Sequence, residues 1–546
     1  MPLMSYASGP SGEPLLGQTI GENLRRTVER FGEREALVVR SQGYRASYRE
    51  LWDQVERLAK ALLALGVERG ERVGLWSPNR HEWVLTQFAT ARIGAILVNV
   101  NPAYRAPELE YALRQSEVSV LLLAREFRGS DYPAILASVR DSLPALRHAL
   151  VLDDDWADLL ARADEVDATA LAEREATLQF DDPINIQYTS GTTGAPKGAT
   201  LTHHNILNNA YFIGRALGYG ETDRVCIPVP FYHCFGMVIG NLNCVAHGAA
   251  MVIPGEAFDP EAVLRTVAEE RCTSLYGVPT MFIDMLAHPL VDELDLGSLR
   301  TGVMAGSTCP VRVMEQVRER LHMEEVTICY GMTETSPVST QTAVDDPLDK
   351  RVGSVGRVHP HLEIKVIDPG DGRLLPVGEA GELCTRGYSV MRGYWNNPEA
   401  TAKAVDEAGW MHTGDLATMD EQGYVAIVGR IKDLIIRGGE NIYPREIEEC
   451  LHGHPEVADV QVIGVPSERY GEEVMAWVRP AAGVEPDADA LEAHCRERLA
   501  GFKVPRRWKF VDEFPVTVTG KVQKFRMREI AVEEDEGGSA SAAGNG

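Results

Sequence analysis

Residues 188–198 read YTSGTTGAPKG, and this glycine-rich segment directly follows an apolar, strand-like run at residues 184–188. Its glycines allow the backbone to bend and to bring N–H groups close to an anion, and its hydroxyl side chains add hydrogen-bond donors. The spacing differs from the nucleotide loop G-x-x-x-x-G-K-[ST], because Lys197 follows Gly194 by three positions and precedes Gly198. The segment predicts a polyphosphate-binding loop; the alternative is a polar turn without a ligand.

The sequence around this loop alternates between helix-like and strand-like patterns. A capping box at Ser47 and Glu50 opens an apolar helical repeat that ends at Gly66. Strands that alternate with helices predict parallel sheets covered by helices, so the large body of the chain is expected to be α/β. The strand-like runs are residues 73–76, 95–100, 118–123 and 149–152.

The pattern changes after about residue 350. Short strand-like runs at residues 362–367, 381–385 and 424–428 predict a small β subdomain. A charged segment at residues 429–433 then precedes a new α+β pattern. We expect three parts: a large N-terminal domain (1–431) of helix-covered parallel sheets plus the β subdomain, a small mobile α+β C-terminal domain (432–532), and a polar, low-complexity tail (533–546) that is disordered.

Length and charge restrict the class of protein. A chain of 546 residues is too long for one ordinary domain. The formal charge of −26 excludes nucleic acid or an anionic membrane surface as a general partner, because both need a basic face. The first residues contain neither a basic segment nor a long apolar stretch, so no secretory signal or transmembrane segment is expected.

The nine cysteines occur without C-x-x-C pairs or a zinc-like spacing to histidine. This usage favours a reducing cytoplasm and argues against structural zinc or a disulfide framework. His203 and His204, beside Asn205, are predicted to begin a helix and not to bind a metal. The oligomeric state is not determined by the sequence, and a monomer or a homodimer is expected.

Five further segments carry the residue types of a catalytic site. They are PFYHCFG (230–236), YGMTETSP (330–337), WMHTGD (410–415), GRIKDLIIRGGENIYPREIE (429–448) and PVTVTGKVQK (515–524). Together with the glycine-rich loop, and in this order, they resemble the adenylate-forming superfamily of acyl-CoA synthetases, luciferases and peptide-synthetase adenylation domains. The combination of YGMTETSP, GYSVMRGYW and IIRGGENIYPREIE is most similar to medium- to long-chain fatty acyl-CoA synthetases.

Activation of a carboxylate by ATP requires one anion to attack another, and two unit charges 4 Å apart repel by roughly 4 kcal/mol at an effective dielectric of 20. Positive groups must offset this repulsion. The resemblance implies that Thr333 contacts the α-phosphate, that Glu334 coordinates a phosphate-bridging Mg²⁺, and that Lys521 stabilises the charge developing during adenylation. It assigns the β- and γ-phosphates to Thr189, Ser190, Gly191, Thr192, Thr193, Gly194 and Lys197.

The resemblance also implies how the nucleoside is held. Tyr330 would stack on adenine, and Asp415, with two acceptor oxygens, would bind both ribose hydroxyls with help from Arg430. An aspartate after a glycine is otherwise a common turn residue. The remaining residues assigned to the nucleotide are Gly306, Ser307 and Gly331.

His233 lies between Tyr232 and Cys234 in a run without a helical period. A structural histidine is the common explanation for a lone His, but the resemblance places this position between the acyl pocket and the phosphates. We interpret it as a gate or carboxylate orienter and not as a general base. The acyl pocket would be lined by residues 276–282 and 302–305, which otherwise read as ordinary core.

Two chemical steps at one site require a rearrangement. The resemblance implies that the small domain swings about the hinge residue Lys432 and exchanges Lys521 for the CoA-binding segment. Gly438 and Gly439 would then admit the narrow pantetheine arm, although a simple glycine turn is the alternative. Many relatives carry other residues beside these glycines, so the role of Glu440 in CoA binding stays open.

The sequence therefore predicts an ATP-dependent fatty acid–CoA ligase that uses ATP, Mg²⁺ and coenzyme A and acts only on small-molecule substrates. It would form an acyl-adenylate and pyrophosphate and then transfer the acyl group to the CoA thiol. The alternatives are an acyl-AMP ligase that loads a carrier protein, a catalytically silent nucleotide-binding regulator, and a luciferase-like oxidase. The uninterrupted run at residues 430–443 argues against the carrier-protein ligase, whose relatives tend to carry an insertion near the hinge.

Overall fold

The computed structural model describes residues 2–189, 196–307, 309–467, 469–485, 487–516 and 522–543, with side chains described up to residue 535. Within these ranges, none of the helices combines the length and the apolar character that a membrane crossing requires.

Two mostly parallel sheets form the large N-terminal part. The first has seven strands, with an antiparallel hairpin at one end of a parallel set. In spatial order its strands are Gly393–Tyr394, Lys197–Thr202, Pro183–Thr189, Ile96–Val100, Arg72–Trp76, Val118–Leu123 and His148–Val151. The buried strand Ile96–Val100 lies near the middle of this sheet, which accounts for its unbroken apolar character.

The second sheet has nine strands and antiparallel strands at both edges. Its strands, in spatial order, are Arg357–Val358, Val338–Gln341, Glu325–Gly331, Thr301–Met304, Ser274–Gly277, Arg224–Cys226, Ala250–Ile253, Glu35–Val39 and Tyr44–Ser47. Helices cover both large sheets, and one continuous hydrophobic core joins them.

A five-stranded antiparallel sheet forms the β subdomain. Its spatial order is Tyr6–Ser8, Leu362–Ile367, Gly381–Gly387, Met411–Met419 and Val425–Arg430. The segment that follows the strand Gly381–Gly387 adds the two-residue strand Gly393–Tyr394 to the edge of the seven-stranded sheet. The β subdomain and the large sheets are thus connected by backbone hydrogen bonds as well as by packing.

The C-terminal part has its own sheet and its own buried core. The sheet order is Glu440–Ile442, Ile435–Arg437, Gly471–Pro480 and Val457–Ser467, and Arg507–Phe510 pairs in parallel with Gly471–Pro480. A two-stranded ribbon, Glu126–Phe127 and Ser130–Asp131, lies elsewhere in the large part.

The α-helices follow the apolar periodicity of the sequence. The helix Tyr48–Ala64 begins at the Ser47–Glu50 capping box, and His203–Ala216 begins at a second box formed by Thr202 and Asn205, so both predicted helix starts are confirmed. The other α-helices are Ile20–Phe31, His81–Ile93, Ala106–Gln115, Tyr132–Val139, Leu152–Ala161, Ala170–Glu175, Asn243–His247, Pro260–Glu270, Pro279–Ala287, Val311–Arg320, Leu348–Gly353, Pro398–Ala404, Pro444–His452, Ala488–Arg498 and Lys524–Ala543.

The predicted fold class is confirmed: helix-covered, mostly parallel sheets and a small β subdomain precede an α+β C-terminal part. Two elements differ from their predictions. The last helix, Lys524–Ala543, continues into the tail that was expected to be disordered from residue 533. The run beginning at His233, which lacks a helical period, leads into the π-helix Phe235–Leu242. All eight residues of this helix are buried, so no polar face marks its period in the sequence.

Candidate active site

The two ends of the glycine-rich loop are anchored by a β-hairpin. Strands Pro183–Thr189 and Lys197–Thr202 are antiparallel, and Thr189 and Lys197 are cross-strand partners where the first strand ends and the second begins. The predicted phosphate-binding residues Ser190, Gly191, Thr192, Thr193 and Gly194 lie outside the described residues. The predicted strand before the loop is confirmed, and the hairpin brings Thr189 and Lys197 together.

Glu334 lies beside this hairpin. It occupies the short 3₁₀ turn Thr333–Thr335, where both Thr333 and Glu334 are buried. The hydroxyl of Thr189 donates to Oε1 of Glu334 at 3.2 Å, across 145 residues of sequence. A buried carboxylate is thereby placed directly at the base of the predicted phosphate loop.

Tyr394 completes this arrangement and was not among the site residues predicted from the sequence. Its hydroxyl donates to the same Oε1 of Glu334 at 2.8 Å, and the ammonium of Lys197 lies 5.2 Å from the centre of its ring. Burial, together with the carboxylate of Glu334, raises the pKa of Tyr394 far above its usual value, so the phenol remains a donor. The available signal was the GYSVMRGYW motif, whose last three residues include Tyr394.

Asp415 and Arg430 form the second group of polar contacts. They are cross-strand partners in the antiparallel pair Met411–Met419 and Val425–Arg430, which explains their spacing of fifteen residues. Nε of Arg430 lies 2.9 Å from Oδ1 of Asp415, and the hydroxyl of Tyr330 donates to Oδ2 at 2.7 Å. Burial lowers the pKa of Arg430, but the negative charge of Asp415, together with that of Asp433, outweighs burial, and the net pKa is raised.

Tyr330 joins the two groups because it is the penultimate residue of the strand Glu325–Gly331, and the turn Thr333–Thr335 that carries Glu334 begins two residues after that strand. Burial, reinforced by Asp415, raises the pKa of Tyr330 well above its usual value. Gly331 has a structural requirement of its own: a Cβ there would lie 1.8 Å from the carbonyl oxygen of Pro337. The glycine therefore permits the close approach of the neighbouring strand.

Gly306 and Ser307 follow the strand Thr301–Met304. Gly306 has a φ of +93°, a conformation that favours glycine, and a Cβ on it would lie 3.1 Å from a methyl carbon of Val278. Ser307 is exposed. The turn thus presents backbone and one hydroxyl at the carboxyl end of a parallel strand, where ligands commonly bind in open α/β sheets.

His233 is half-buried in the turn that precedes the π-helix. Its Nδ1 accepts a hydrogen bond from the backbone N–H of Phe235 at 3.2 Å, and its carbonyl accepts from Gly236 and Met237. The imidazole therefore helps to begin the helix. This contact fixes Nδ1 as an acceptor, so the proton of the neutral ring is on Nε2.

The segment predicted to bind CoA is a tight β-hairpin. Strands Ile435–Arg437 and Glu440–Ile442 pair through Arg437 and Glu440, so Gly438 and Gly439 form a two-residue turn. Their φ angles of +61° and +91° are those of a turn that favours glycine at both positions. The N–H of Gly438 donates to the carbonyl of Tyr470 at 2.8 Å.

Arg437, at the base of this turn, is held by a bidentate pair with Glu473 at 2.6 and 3.0 Å and lies 4.0 Å from the centre of the Tyr470 ring. Gly439 and Glu440, by contrast, are exposed, and a Cβ on Gly439 would meet no described atom within 4 Å. The base of the turn is therefore held by the Arg437–Glu473 ion pair, and its outer residues are exposed.

Lys432 lies in the 3₁₀ turn Ile431–Asp433, which directly follows Arg430. Asp433 of this turn pairs with Arg528 of the last helix at 3.2 Å. The turn therefore connects the strand that carries Arg430 to the C-terminal part. Lys521 lies outside the described residues.

Comparison with known proteins identifies the family. The AMP-binding enzyme family matches residues 24–395, and the AMP-binding enzyme C-terminal domain matches residues 446–521. The chain is 47% identical over 539 residues to the putative acyl-CoA synthetase YngI of Bacillus subtilis, covering 95% of this chain and 98% of that protein. It is 44% identical over 546 residues to the mitochondrial medium-chain acyl-CoA ligase ACSF2 of Danio rerio, covering 96% and 90%.

Among solved structures, the anthranilate CoA ligase AuaEII in complex with anthranoyl-AMP superimposes with a TM-score of 0.85 at 28% identity, covering 95% of this chain and 98% of that one. The resemblance predicted from the motifs is confirmed by these matches. The chain belongs to the AMP-binding, adenylate-forming enzyme superfamily and, within it, is similar to the acyl-CoA synthetases.

Proposed function

We propose that the protein is an ATP-dependent fatty acid–CoA ligase that adenylates a medium- to long-chain fatty acid and transfers the acyl group to the thiol of coenzyme A. The main supporting observation is that the hydroxyl groups of Thr189 and Tyr394 both donate to the carboxylate of Glu334, beside the predicted phosphate loop. The similarity to an acyl-CoA synthetase over nearly the whole chain supports the same conclusion.

In this proposal Asp415 binds the ribose. Its two oxygens already accept from Arg430 and Tyr330, and a carboxylate has further acceptor capacity for the two ribose hydroxyls. Tyr330 stacks on adenine, while its hydroxyl orients Asp415. The turn carrying Gly306 and Ser307, together with Gly331, lies against the purine.

The phosphates are proposed to lie between the loop at residues 189–197 and the turn carrying Thr333 and Glu334. Glu334 would hold Mg²⁺, and the site fits that ion because Mg²⁺ prefers oxygen ligands and here meets a buried carboxylate beside the hydroxyl of Thr189. When bound, the ion neutralises phosphate charge. Lys197 adds a positive charge, and Thr333 contacts the α-phosphate.

The fatty acid carboxylate attacks the α-phosphorus in line, pyrophosphate leaves, and Lys521 stabilises the charge that develops in the transition state. The CoA thiol then attacks the acyl carbonyl and AMP leaves. His233 orients the carboxylate or gates the acyl pocket at residues 276–282 and 302–305. The half-buried position of His233 in the turn before the π-helix supports this role.

The C-terminal part is proposed to alternate between two orientations about Lys432. One orientation presents Lys521 for adenylation, and the other presents the Gly438–Gly439 turn to the pantetheine arm. The exposed outer surface of that turn supports this role. The bidentate ion pair between Arg437 and Glu473 holds the base of the turn and favours a fixed backbone conformation. Glu440 lies at the exposed edge of the same turn, where it could contact CoA.

The proposed division of the chain is an adenylation domain at residues 1–431, a mobile domain at 432–532 and a polar tail at 533–546, into which the helix Lys524–Ala543 continues. The separate C-terminal core supports the first boundary. Limited proteolysis with and without ATP tests both boundaries, because cleavage should concentrate near residue 432 and in the tail and should respond to the ligand only at the first site.

A cytoplasmic location and a monomeric or homodimeric state complete the proposal. All nine cysteines are free, which suits a reducing compartment. Since the similar enzyme of Danio rerio is mitochondrial, fractionation of the source cells is the appropriate test of location, and light scattering of the purified protein measures the oligomeric state.

The function itself is tested by measuring pyrophosphate release with a panel of carboxylic acids, with and without CoA. We expect a fatty acid to support pyrophosphate release and CoA to increase turnover with formation of the thioester. Turnover that requires a carrier protein in place of CoA would favour the acyl-AMP ligase. Absence of pyrophosphate release with every acid would favour the silent regulator, and light emission would favour a luciferase-like oxidase.

A further inference from the structure

Three chemically different metal-binding groups meet on the five-stranded sheet of the β subdomain. Glu382 and Cys384 are two residues apart on the strand Gly381–Gly387, so their side chains share one face. His412, on the strand Met411–Met419, is the cross-strand partner of Cys384. The carboxylate oxygen, the thiol sulfur and the ring nitrogen all lie within 4.8 Å of one another.

The separations are close to those of a tetrahedral metal site. Nδ1 of His412 lies 2.9 Å from Oε2 of Glu382 and 3.7 Å from Sγ of Cys384. Metal–ligand bonds of about 2.0–2.3 Å with tetrahedral angles separate the ligand atoms by roughly 3.3–3.6 Å. Small side-chain rotations therefore suffice to admit an ion between the three atoms.

A second carboxylate faces the other nitrogen of the imidazole. Oδ2 of Asp406 lies 3.7 Å from Nε2 of His412. In metal sites a ligating imidazole is commonly held by a carboxylate on its opposite nitrogen, which fixes the tautomer and the ring plane. This distance exceeds that of a hydrogen bond, but a small side-chain movement would bring Asp406 into that role, leaving Nδ1 directed at Glu382 and Cys384.

The site combines a buried donor with an open side. Cys384 is buried, whereas the side chains of His412 and Asp406 are about one-third exposed, at 32% and 36%. Burial, reinforced by Glu382, raises the pKa of the Cys384 thiol to about 12, and the ammonium of Lys365 opposes this.

We propose that Glu382, Cys384 and His412 form a binding site for a thiophilic divalent transition ion of the Zn²⁺ class. The donor set selects such an ion over Mg²⁺, because thiolate and imidazole are ligands of Zn²⁺ and Co²⁺, whereas Mg²⁺ prefers oxygen. Spacing along the sequence does not reveal this site, since Cys384 and His412 are 28 residues apart and meet only through the register of the sheet.

Occupancy has a consequence for the nucleotide site. Oε1 of Glu382 accepts a hydrogen bond from the N–H of Gly414 at 3.1 Å, and Gly414 directly precedes Asp415. An ion that fixes Glu382 therefore also braces the turn that presents Asp415. This consequence depends on the proposed ribose-binding role of Asp415, but binding of the ion does not.

The test is titration of the full-length, metal-free protein with Co²⁺, followed by optical absorption. We expect one Co²⁺ per chain, with sulfur-to-cobalt charge-transfer absorption and the visible bands of a tetrahedral ion. Zn²⁺ should remove these bands at equimolar concentration, and a large excess of Mg²⁺ should leave them unchanged. Asp406→Asn should weaken binding about 10–100-fold, as expected for loss of a carboxylate behind a ligand.

Cys384→Ser and His412→Gln should each abolish the charge-transfer band while circular dichroism stays that of the parent. Cys450→Ser is the matched control, because Cys450 is partly exposed and lies in the C-terminal part, and it should retain the band. The proposal is overturned by absence of the band in the parent protein, by its persistence in Cys384→Ser or His412→Gln, or by displacement of Co²⁺ by Mg²⁺. A change in the KM for ATP in these variants, with no Co²⁺ band in the parent protein, would likewise overturn the metal site and leave His412 with a structural role beside the Asp415 turn.

Discussion

The hydroxyl of Tyr394 donates a 2.8 Å hydrogen bond to Oε1 of Glu334, the residue proposed to hold the metal ion of MgATP. The same oxygen receives the hydroxyl of Thr189. Two donors on one oxygen hold the carboxylate in a single orientation. The same two contacts therefore also fix the position of its second oxygen, Oε2. Tyr394 is thus a positioning residue for the proposed phosphate site.

Tyr394→Phe should reduce kcat/KM for MgATP by about tenfold to hundredfold, since a hydrogen bond to a charged group contributes roughly 1.5–3 kcal/mol. It should also raise the Mg²⁺ concentration needed for half-maximal rate. Tyr44→Phe is the matched control, because Tyr44 likewise bonds a side chain, Gln54, in a different part of the fold. An unchanged Mg²⁺ dependence in Tyr394→Phe would contradict the positioning role.

The nucleoside contacts should differ in strength. Asp415→Ala should raise the KM for ATP by roughly tenfold to hundredfold, because it leaves Arg430 and the ribose hydroxyls without a partner at a cost of about 1–3 kcal/mol. Tyr330→Ala should cost less, since aromatic stacking adds about 0.5–1.5 kcal/mol beyond burial.

Tyr330→Phe separates the two roles of that residue, because it keeps the ring and removes the hydrogen bond to Asp415. ATP titrations of the three variants provide the comparison. Equal KM values for Asp415→Ala and Tyr330→Ala would reject the ribose assignment of Asp415.

Different substitutions should impair the adenylation and the thioester-forming half-reactions. Lys521→Ala should slow adenylation by roughly 10²–10³-fold, as expected for loss of one preorganised stabilising group, and should leave thioester formation from supplied acyl-adenylate nearly intact. Gly439→Leu should obstruct the proposed pantetheine path and spare adenylation, because that step uses the other domain orientation.

Because Gly439 has a φ of +91°, leucine there also strains the turn, and Gly483→Leu is the matched control. Gly483 lies in the same C-terminal part and has a φ of +75°, and a Cβ added to it would likewise meet no described atom within 4 Å. Single-turnover measurements should show Gly483→Leu competent in both steps. Loss of the same half-reaction in Lys521→Ala and Gly439→Leu would exclude domain alternation.

Two buried histidines should make the fold sensitive to acid. Burial lowers the pKa values of His203 and His359 from 6.5 to about 4. The unfolded chain therefore binds protons between pH 6.5 and 4 that the folded chain does not, so stability is complete above pH 6.5 and is lost as the pH falls through this window. Each group contributes a slope of up to about 1.4 kcal/mol per pH unit.

Urea unfolding at pH 5 and pH 7 measures this slope. In the double variant His203→Asn/His359→Gln, the difference in free energy of unfolding between the two pH values should shrink, whereas the exposed-site variant His322→Asn should behave as the parent. Parallel pH profiles for the parent and the double variant would show that neither histidine is responsible.

Acyl chain length should control catalytic efficiency. Each additional buried methylene contributes about 0.8 kcal/mol, so kcat/KM should rise several-fold per carbon until the pocket is full. Acetate should therefore be a poor substrate. A series of acids from acetate to palmitate measures this trend, and acetate or an aromatic acid as the best substrate would refute the fatty-acid assignment.

Local sequence patterns were sufficient for several elements of this fold. The Ser47–Glu50 box and the strand at residues 362–367 depend on neighbours a few positions apart, and both occur as predicted. The π-helix Phe235–Leu242 was missed because a helix buried on every side has no polar face to reveal its period. The nine-stranded sheet order was also beyond local patterns, since it depends on packing between distant strands.

The sequence by itself determined the superfamily and the types of residue at the site, because six short motifs in a fixed order carry that information. Only the tertiary structure decided which side chains meet. Thr189 and Tyr394 reach Glu334 across 145 and 60 residues, and Cys384 meets His412 through strand register. Such contacts are set by sheet order and cross-strand pairing, which arise from the packing of the whole chain and leave no periodic trace in the sequence.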